Sequence, residues 1–159
     1  MKRISQPELL SALDRLARTA ELVAPRLVDD VLLYRRIQQV EQIVWDYIRP
    51  VLSIKEYFFA PSEHMLRIEK VGSEIHLTEI LPDDKQVIFG VRPCDARGLL
   101  ALDALFLEDQ PADVYYARRR ANTILVGLAC LAPGPTCFCT RMGGALDDPT
   151  GMDGMLYPQ

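Results

Sequence analysis

Two continuous apolar runs in the second half of the chain limit its fold more than any other feature. Val87-Ile88-Phe89-Gly90-Val91 lies between the charged Asp83-Asp84-Lys85 and Arg92-Pro93, and Thr123-Ile124-Leu125-Val126-Gly127-Leu128-Ala129 follows a run of arginines. Short runs that are apolar throughout suit strands buried on both faces. Between them Leu99, Leu100, Leu102, Ala104, Leu105 and Phe106 lie in a stretch rich in helix formers. A right-handed crossover through that helix makes the two strands parallel. The expected fold class is therefore α/β: a small parallel-containing sheet with flanking helices, its core strands near 87–91 and 123–129 and a helix near 96–106, preceded by a helical N-terminal region.

The first half reads less sharply. Ser5-Gln6-Pro7-Glu8 has the form of a capping box with a proline in the first turn, and Leu9, Leu10, Leu13 and Leu16 recur at helical spacing, so residues 6–19 are expected to be an amphipathic helix. After a break at Pro25, Val31 to Ile37 suits a strand. Val40, Ile43, Val44, Tyr47 and Ile48 then repeat as on a helix that Pro50 stops. Tyr57, Phe58 and Phe59 read as core or subunit interface in a loop, and the alternating runs from Met65 and Glu74 read as a β-hairpin. Gly143 to Gln159, with four glycines and two prolines, offers little to build an element.

Size and charge narrow the function. With 159 residues, 49% of them hydrophobic, one compact domain is expected, and a net charge of -4 removes the global basic field that non-specific nucleic-acid binding needs. Ala121 to Thr140 is uncharged but broken by Gly127, Pro133, Gly134 and Pro135, so membrane insertion is not expected; the N-terminus lacks a signal-like apolar core, which makes a cytoplasmic location the default.

In such a compartment the four cysteines are better read as thiolates with a task than as disulfides. Cys94 lies just beyond the first apolar run and Cys130 directly after the second, with 35 residues between them. Parallel strands bring both to the carboxyl edge of the sheet, where ligands bind in open α/β folds. Cys137 and Cys139 follow on a turn-rich loop through Pro133-Gly134-Pro135. Four thiolates suit Zn(II) or a [4Fe-4S] cluster; the single residue between Cys137 and Cys139 and the isolation of Cys94 argue against paired zinc knuckles. Buried free cysteines also occur as small hydrophobes at strand ends, a role open to Cys94 and Cys130.

Several motifs carry a family resemblance. Ser53-x-Lys55-Glu56-Tyr57-Phe58-Phe59-x-Pro61-x-Glu63, Gly90-Val91-Arg92-Pro93-Cys94-Asp95, Leu102-Asp103-x-x-Phe106, Tyr116-x-x-Arg119-Arg120 and Cys137-Phe138-Cys139-Thr140-x-Met142-Gly143 resemble the iron–sulfur electron-transfer subunit of anaerobic sulfite reductase and the beta subunit of sulfhydrogenase, which form one family. More distantly, the Pro-Cys turn and Val126-Gly127-Leu128-x-Cys130 are similar to the beta subunit of deazaflavin-reducing hydrogenases. The resemblance implies an iron–sulfur electron-transfer domain over 1–142. It also implies that 143–159 is a poorly structured tail ahead of the ferredoxin-like domain into which such subunits continue.

The remaining charged and polar groups carry weaker expectations. Arg118-Arg119-Arg120 reads as a solvated edge or a dock for an acidic partner or a phosphate, Asp95 as the cap of the following helix or a ligand or tuning group of a cluster, and Arg92 as a charge near the thiolates or the partner of a surface carboxylate. His64 and His76 read as exposed polar residues, and Lys55, Glu56 and Glu63 match the resemblance without an evident chemical role. The leading expectation is a module of an anaerobic reductase or hydrogenase complex that holds one [4Fe-4S] cluster on Cys94, Cys130, Cys137 and Cys139, works beside other subunits and has no independent catalysis; the alternative is a structural zinc domain without redox activity.

Overall fold

A computed structural model of the chain describes residues 3–158. The expected first helix forms as α1 (Gln6–Ala17), its start fixed by Ser5, whose backbone N–H and hydroxyl both donate to the Glu8 carboxylate at 2.8 and 2.6 Å. Two strands follow, β1 (Glu21–Val28) and β2 (Val31–Arg36), joined by Asp29 and Asp30 at φ of 48° and 62°, the left-handed pair that a two-residue hairpin turn demands. A free-standing hairpin of β3 (Leu66–Val71) and β4 (Glu74–Glu79) separates them from the expected unit β5 (Gln86–Val91), α2 (Pro93–Asp103) and β6 (Thr123–Leu128). A π-helical turn, Ala104–Glu108, prolongs α2, and a further helix, α3 (Val114–Ala121), precedes β6.

The main sheet has five strands in the order β2-β1-β5-β6-β7, where β7 is Gly154–Leu156. Strands β1, β5, β6 and β7 are parallel neighbours, and only β2 runs antiparallel. Each face of the sheet is covered. One packs Val23, Tyr34, Ile88 and Leu125 against Leu99 of α2, Tyr116 of α3 and Ile54 and Phe58, which belong to or adjoin a short 3-10 turn. The other packs Leu22, Ala24, Val87 and Phe89 against Leu13 of α1 and the 37–45 segment, where Trp45 meets the Phe89 ring edge-on at 5.3 Å.

Local pattern alone misreads four places. Pro25 does not break the chain; it lies within β1, beyond Val23, the last residue of that strand paired to β5, and its carbonyl accepts the Val44 N–H at 2.8 Å. The helical spacing over 40–48 yields only a 3-10 turn at Val40–Gln42, because tertiary partners claim the backbone: Pro25 takes the Val44 N–H, and Arg92 donates to the Tyr47 carbonyl. Within the 143–159 stretch, expected as a loop, Gly154–Leu156 adds a parallel strand to β6. Finally, α3 stands where a solvated arginine run was expected; Asp113 caps it by accepting the Tyr116 N–H at 2.8 Å.

Gly90 explains the one small residue in the first apolar run. Its φ is +79° at the irregularity between Phe89 and Val91, and a Cβ there would stand 2.7 Å from the Tyr47 hydroxyl and 3.1 Å from Pro25. The Tyr34 and Tyr47 hydroxyls both donate to the Gly90 carbonyl. The bulge thus precedes the residues that enter α2 at the sheet edge.

Candidate metal centre

The parallel pairing of β5 and β6 ends at Val91 and Gly127, so the chain leaves both strands at the same edge. From β5 it passes through Arg92, the N-cap of α2, into Pro93 and Cys94 in the first turn. From β6 it reaches Ala129 and Cys130, whose N–H groups donate at 2.9 Å to the carbonyls of Leu156 and Leu146 respectively. The tail therefore holds the backbone around Cys130. Cys137 sits in a turn, donating to the Gly134 carbonyl at 3.0 Å, and Cys139 opens a 3-10 turn, Cys139–Met142, closed by Gly143 at φ +70°.

All four cysteines are free thiols. Cys94 keeps enough solvent contact to count as exposed, yet partial loss of water at its thiol, reinforced by Asp95, Cys130 and Cys139, pushes its pKa up to about 11. Partial burial also pushes the Cys130 thiol up; the positive Arg92 pulls against it, while Cys139 and Cys137 add to the rise. The fields of Cys139 and Cys137 thus reach Cys130, and that of Cys139 reaches Cys94. Among the described residues, no three His, Cys, Asp or Glu side chains stand in metal-ligating geometry. The donor set nonetheless fits a thiophilic group. Cys94 and Cys130 stand at one edge, and the repulsion between neighbouring thiolates that helps raise both is relieved when a metal replaces their protons.

Of the two roles expected for Arg92, the surface ion pair does not form. It is only 4% exposed and, among the described residues, pairs with no carboxylate. Its guanidinium donates to the carbonyls of Leu128 and Ala129 at 3.1 and 2.9 Å and to that of Tyr47, lying 3.9 Å above the Tyr47 ring centroid. Asp95 is not the helix cap either; it stands in the first turn, mostly buried, where burial raises its pKa and the Ser53 hydroxyl, donating at 2.8 Å, pulls it down. Beside Cys130 opens a cavity of about 470 Å³ lined by Leu131, Leu146, Asp147 and Tyr157.

The other candidates lie elsewhere and hold the fold together. Arg119 and Arg120 pair with Glu63 and Asp103 in largely buried contacts, while Arg118 stays solvated with Asp83 3.6 Å away, so the run is part internal pairing and part solvated edge. Glu56 pairs with Arg35 at 2.6 Å, and Lys55 reaches over Gly98 of α2. His64 is exposed, as is His76, whose nearest acid is Glu74 at 3.7 Å. Phe58 is fully buried, Tyr57 donates to the Tyr34 carbonyl at 2.8 Å, and Phe59 stacks on Phe106 at 5.2 Å. The sequence reading missed Tyr47 and Leu146 as supports of the site, because they act through carbonyls or ring faces that no residue type announces.

Comparison with known proteins adds one relative. The chain is 34% identical over 130 residues to the sulfhydrogenase 2 beta subunit of Pyrococcus furiosus; the match covers 82% of this chain and 37% of that protein. No family model and no solved structure matches the chain. Over 82% of its length, then, the chain resembles the beta subunit of sulfhydrogenase.

Proposed function

We propose that the chain is an electron-transfer module of a cytoplasmic anaerobic reductase or hydrogenase complex, and that Cys94, Cys130, Cys137 and Cys139 hold one [4Fe-4S] cluster. The observation that carries this reading is that Cys94 and Cys130 leave β5 and β6 at the same carboxyl edge, near enough to Cys139 and Cys137 for their charges to act on Cys130, beside a buried arginine with no acid partner among the described residues. Likeness to a sulfhydrogenase beta subunit supports the same assignment and the presence of partner subunits. When bound, such a cluster takes up and gives up one electron at a time.

The chain's own residues supply the setting. Cys94 is presented from the first turn of α2 and Cys130 from the end of β6, so two thiolates come from rigid elements and two from the 137–139 loop, which can adapt to the group it receives. The backbone bonds from Ala129 and Cys130 to Leu156 and Leu146 hold that strand end against the tail. No nucleophile and general base enter the proposal; the residues position and insulate. Expression and purification without oxygen, followed by iron and sulfide analysis, tests it. About four iron and four sulfide per chain support the cluster, whereas one tightly held zinc in a colourless protein assigns the cysteines to a structural site.

A further inference from the structure

Arg92 presents a buried positive charge without a counterion. Among the described residues its guanidinium has no carboxylate within ion-pair distance, and it is the one arginine in the fully buried class, whereas the partly buried Arg119 and Arg120 are matched to Glu63 and Asp103. Three carbonyls and the face of Tyr47 accept part of the charge, and the Nε atom is buried with no acceptor at all. A buried cation left in this state is costly unless something negative lies near it. The carbonyls it binds are those of Leu128 and Ala129, directly before Cys130, and it stands two residues before Cys94. The unmatched charge therefore lies between the two chain segments that carry the rigid pair of cysteines.

We infer that Arg92 is the charge-complementing residue of this site: its guanidinium offsets the net negative charge of a metal group held by Cys94, Cys130, Cys137 and Cys139, strengthening its retention and raising its reduction potential. The inference rests on the four-cysteine reading above. A divalent metal on four thiolates carries two net negative charges, and a [4Fe-4S] group on the same ligands gains one more when it accepts a single electron from a donor such as dithionite. A fixed positive charge in a low-dielectric pocket favours both states, and the reduced one more. The competing role is mechanical, with Arg92 stitching the 47 loop to the end of β6 through hydrogen bonds alone.

Two substitutions separate charge from stitching. Arg92→Lys keeps the charge but cannot span three carbonyls, while Arg92→Gln keeps a donor and loses the charge. Reduced, metal-free protein is titrated with Co(II) without oxygen, and reconstituted protein is titrated redoxically with dithionite under electron paramagnetic resonance. The charge account expects Arg92→Gln to bind Co(II) about tenfold more weakly than Arg92→Lys, and its reduction equilibrium to move about tenfold toward the oxidised form, which is about 59 mV for one electron. Equal Co(II) affinity and equal potential in the two variants, both metal-loaded, overturn the role of Arg92 while leaving the four-cysteine site standing. A wild-type chain that takes up neither Co(II) nor iron and sulfide overturns the site itself. If Arg92→Gln does not fold, Arg92→Lys decides: a folded Lys variant with wild-type Co(II) affinity supports the charge, and one that unfolds as readily assigns Arg92 to stitching.

Discussion

Replacing Asp153 with alanine should loosen the tail from the sheet and, through the tail, the hold on Cys130. The Asp153 carboxylate accepts the Leu125 N–H at 2.8 Å, and the Asp153 N–H donates to the Leu125 carbonyl at 3.0 Å. One residue thus closes a two-way clasp on the edge of β6 just ahead of β7. A hydrogen bond to a charged acceptor contributes about 1.5–3 kcal/mol, and the exposure of Asp153 places the loss at the lower end, about 1.5 kcal/mol. For a chain of this size that corresponds to a fall in melting temperature of roughly 3–6 °C. Asp153→Asn keeps an acceptor oxygen without the charge and should lose about half as much. Urea denaturation gives the stability, and limited proteolysis gives the local effect: cleavage beyond residue 143 should quicken while the remaining domain stays intact. A loss under about 0.5 kcal/mol together with an unchanged cleavage rate would falsify the clasp.

Three further outcomes follow from the geometry. In reduced, metal-free protein, alkylation of Cys94 by iodoacetamide should be half-maximal near pH 11 and about a hundredfold slower at neutral pH than for an ordinary thiol; since the unfolded chain releases this proton first, near pH 9, folded stability should fall as pH rises from about 9 to about 11, and half-maximal reaction below pH 9 contradicts the assigned environment. Asp103→Ala removes the acceptor of the Tyr116 hydroxyl, at 2.6 Å, and the partner of Arg120, at 3.1 Å; a loss of about 3 kcal/mol is expected, and a double-mutant cycle with Tyr116→Phe should show coupling above about 1 kcal/mol, whereas additive losses break the network account. Gly90→Ala forces a side chain to φ +79° against Pro25 and Tyr47, with an expected loss of about 2 kcal/mol that Tyr47→Phe relieves only in part; complete rescue by Tyr47→Phe shows that the backbone conformation there carries no strain.

The parallel unit around β5 and β6 was legible because strands buried on both faces write their burial directly as apolar runs, and Cys94 and Cys130 could be placed at one edge from topology alone. What escaped had its cause outside the segment concerned. Pro25 reads as a breaker, yet β1 accommodates it beyond its paired stretch with β5. The helical spacing of Val40 to Ile48 is real, but the Val44 N–H and the Tyr47 carbonyl are spent on Pro25 and Arg92. Strand β7 is three residues long and is held by Asp153, Ala129 and the edge of β6 rather than by any periodicity of its own. For Arg92 the residue type left a charge near the thiolates and a surface ion pair equally open; the converging carbonyls of Tyr47, Leu128 and Ala129 remove the second.

The central claim is that the four cysteines bind one redox-active cluster, and quantitative iron and acid-labile sulfide analysis of anaerobically prepared protein, with its electron paramagnetic resonance spectrum after dithionite, tests it most directly. The account predicts about four iron and four sulfide per chain, a brown protein whose spectrum appears on one-electron reduction, and loss of both when Cys94 and Cys130 are replaced by alanine. A colourless protein with one zinc per chain, or iron retained in full by the Cys94→Ala/Cys130→Ala variant, contradicts it.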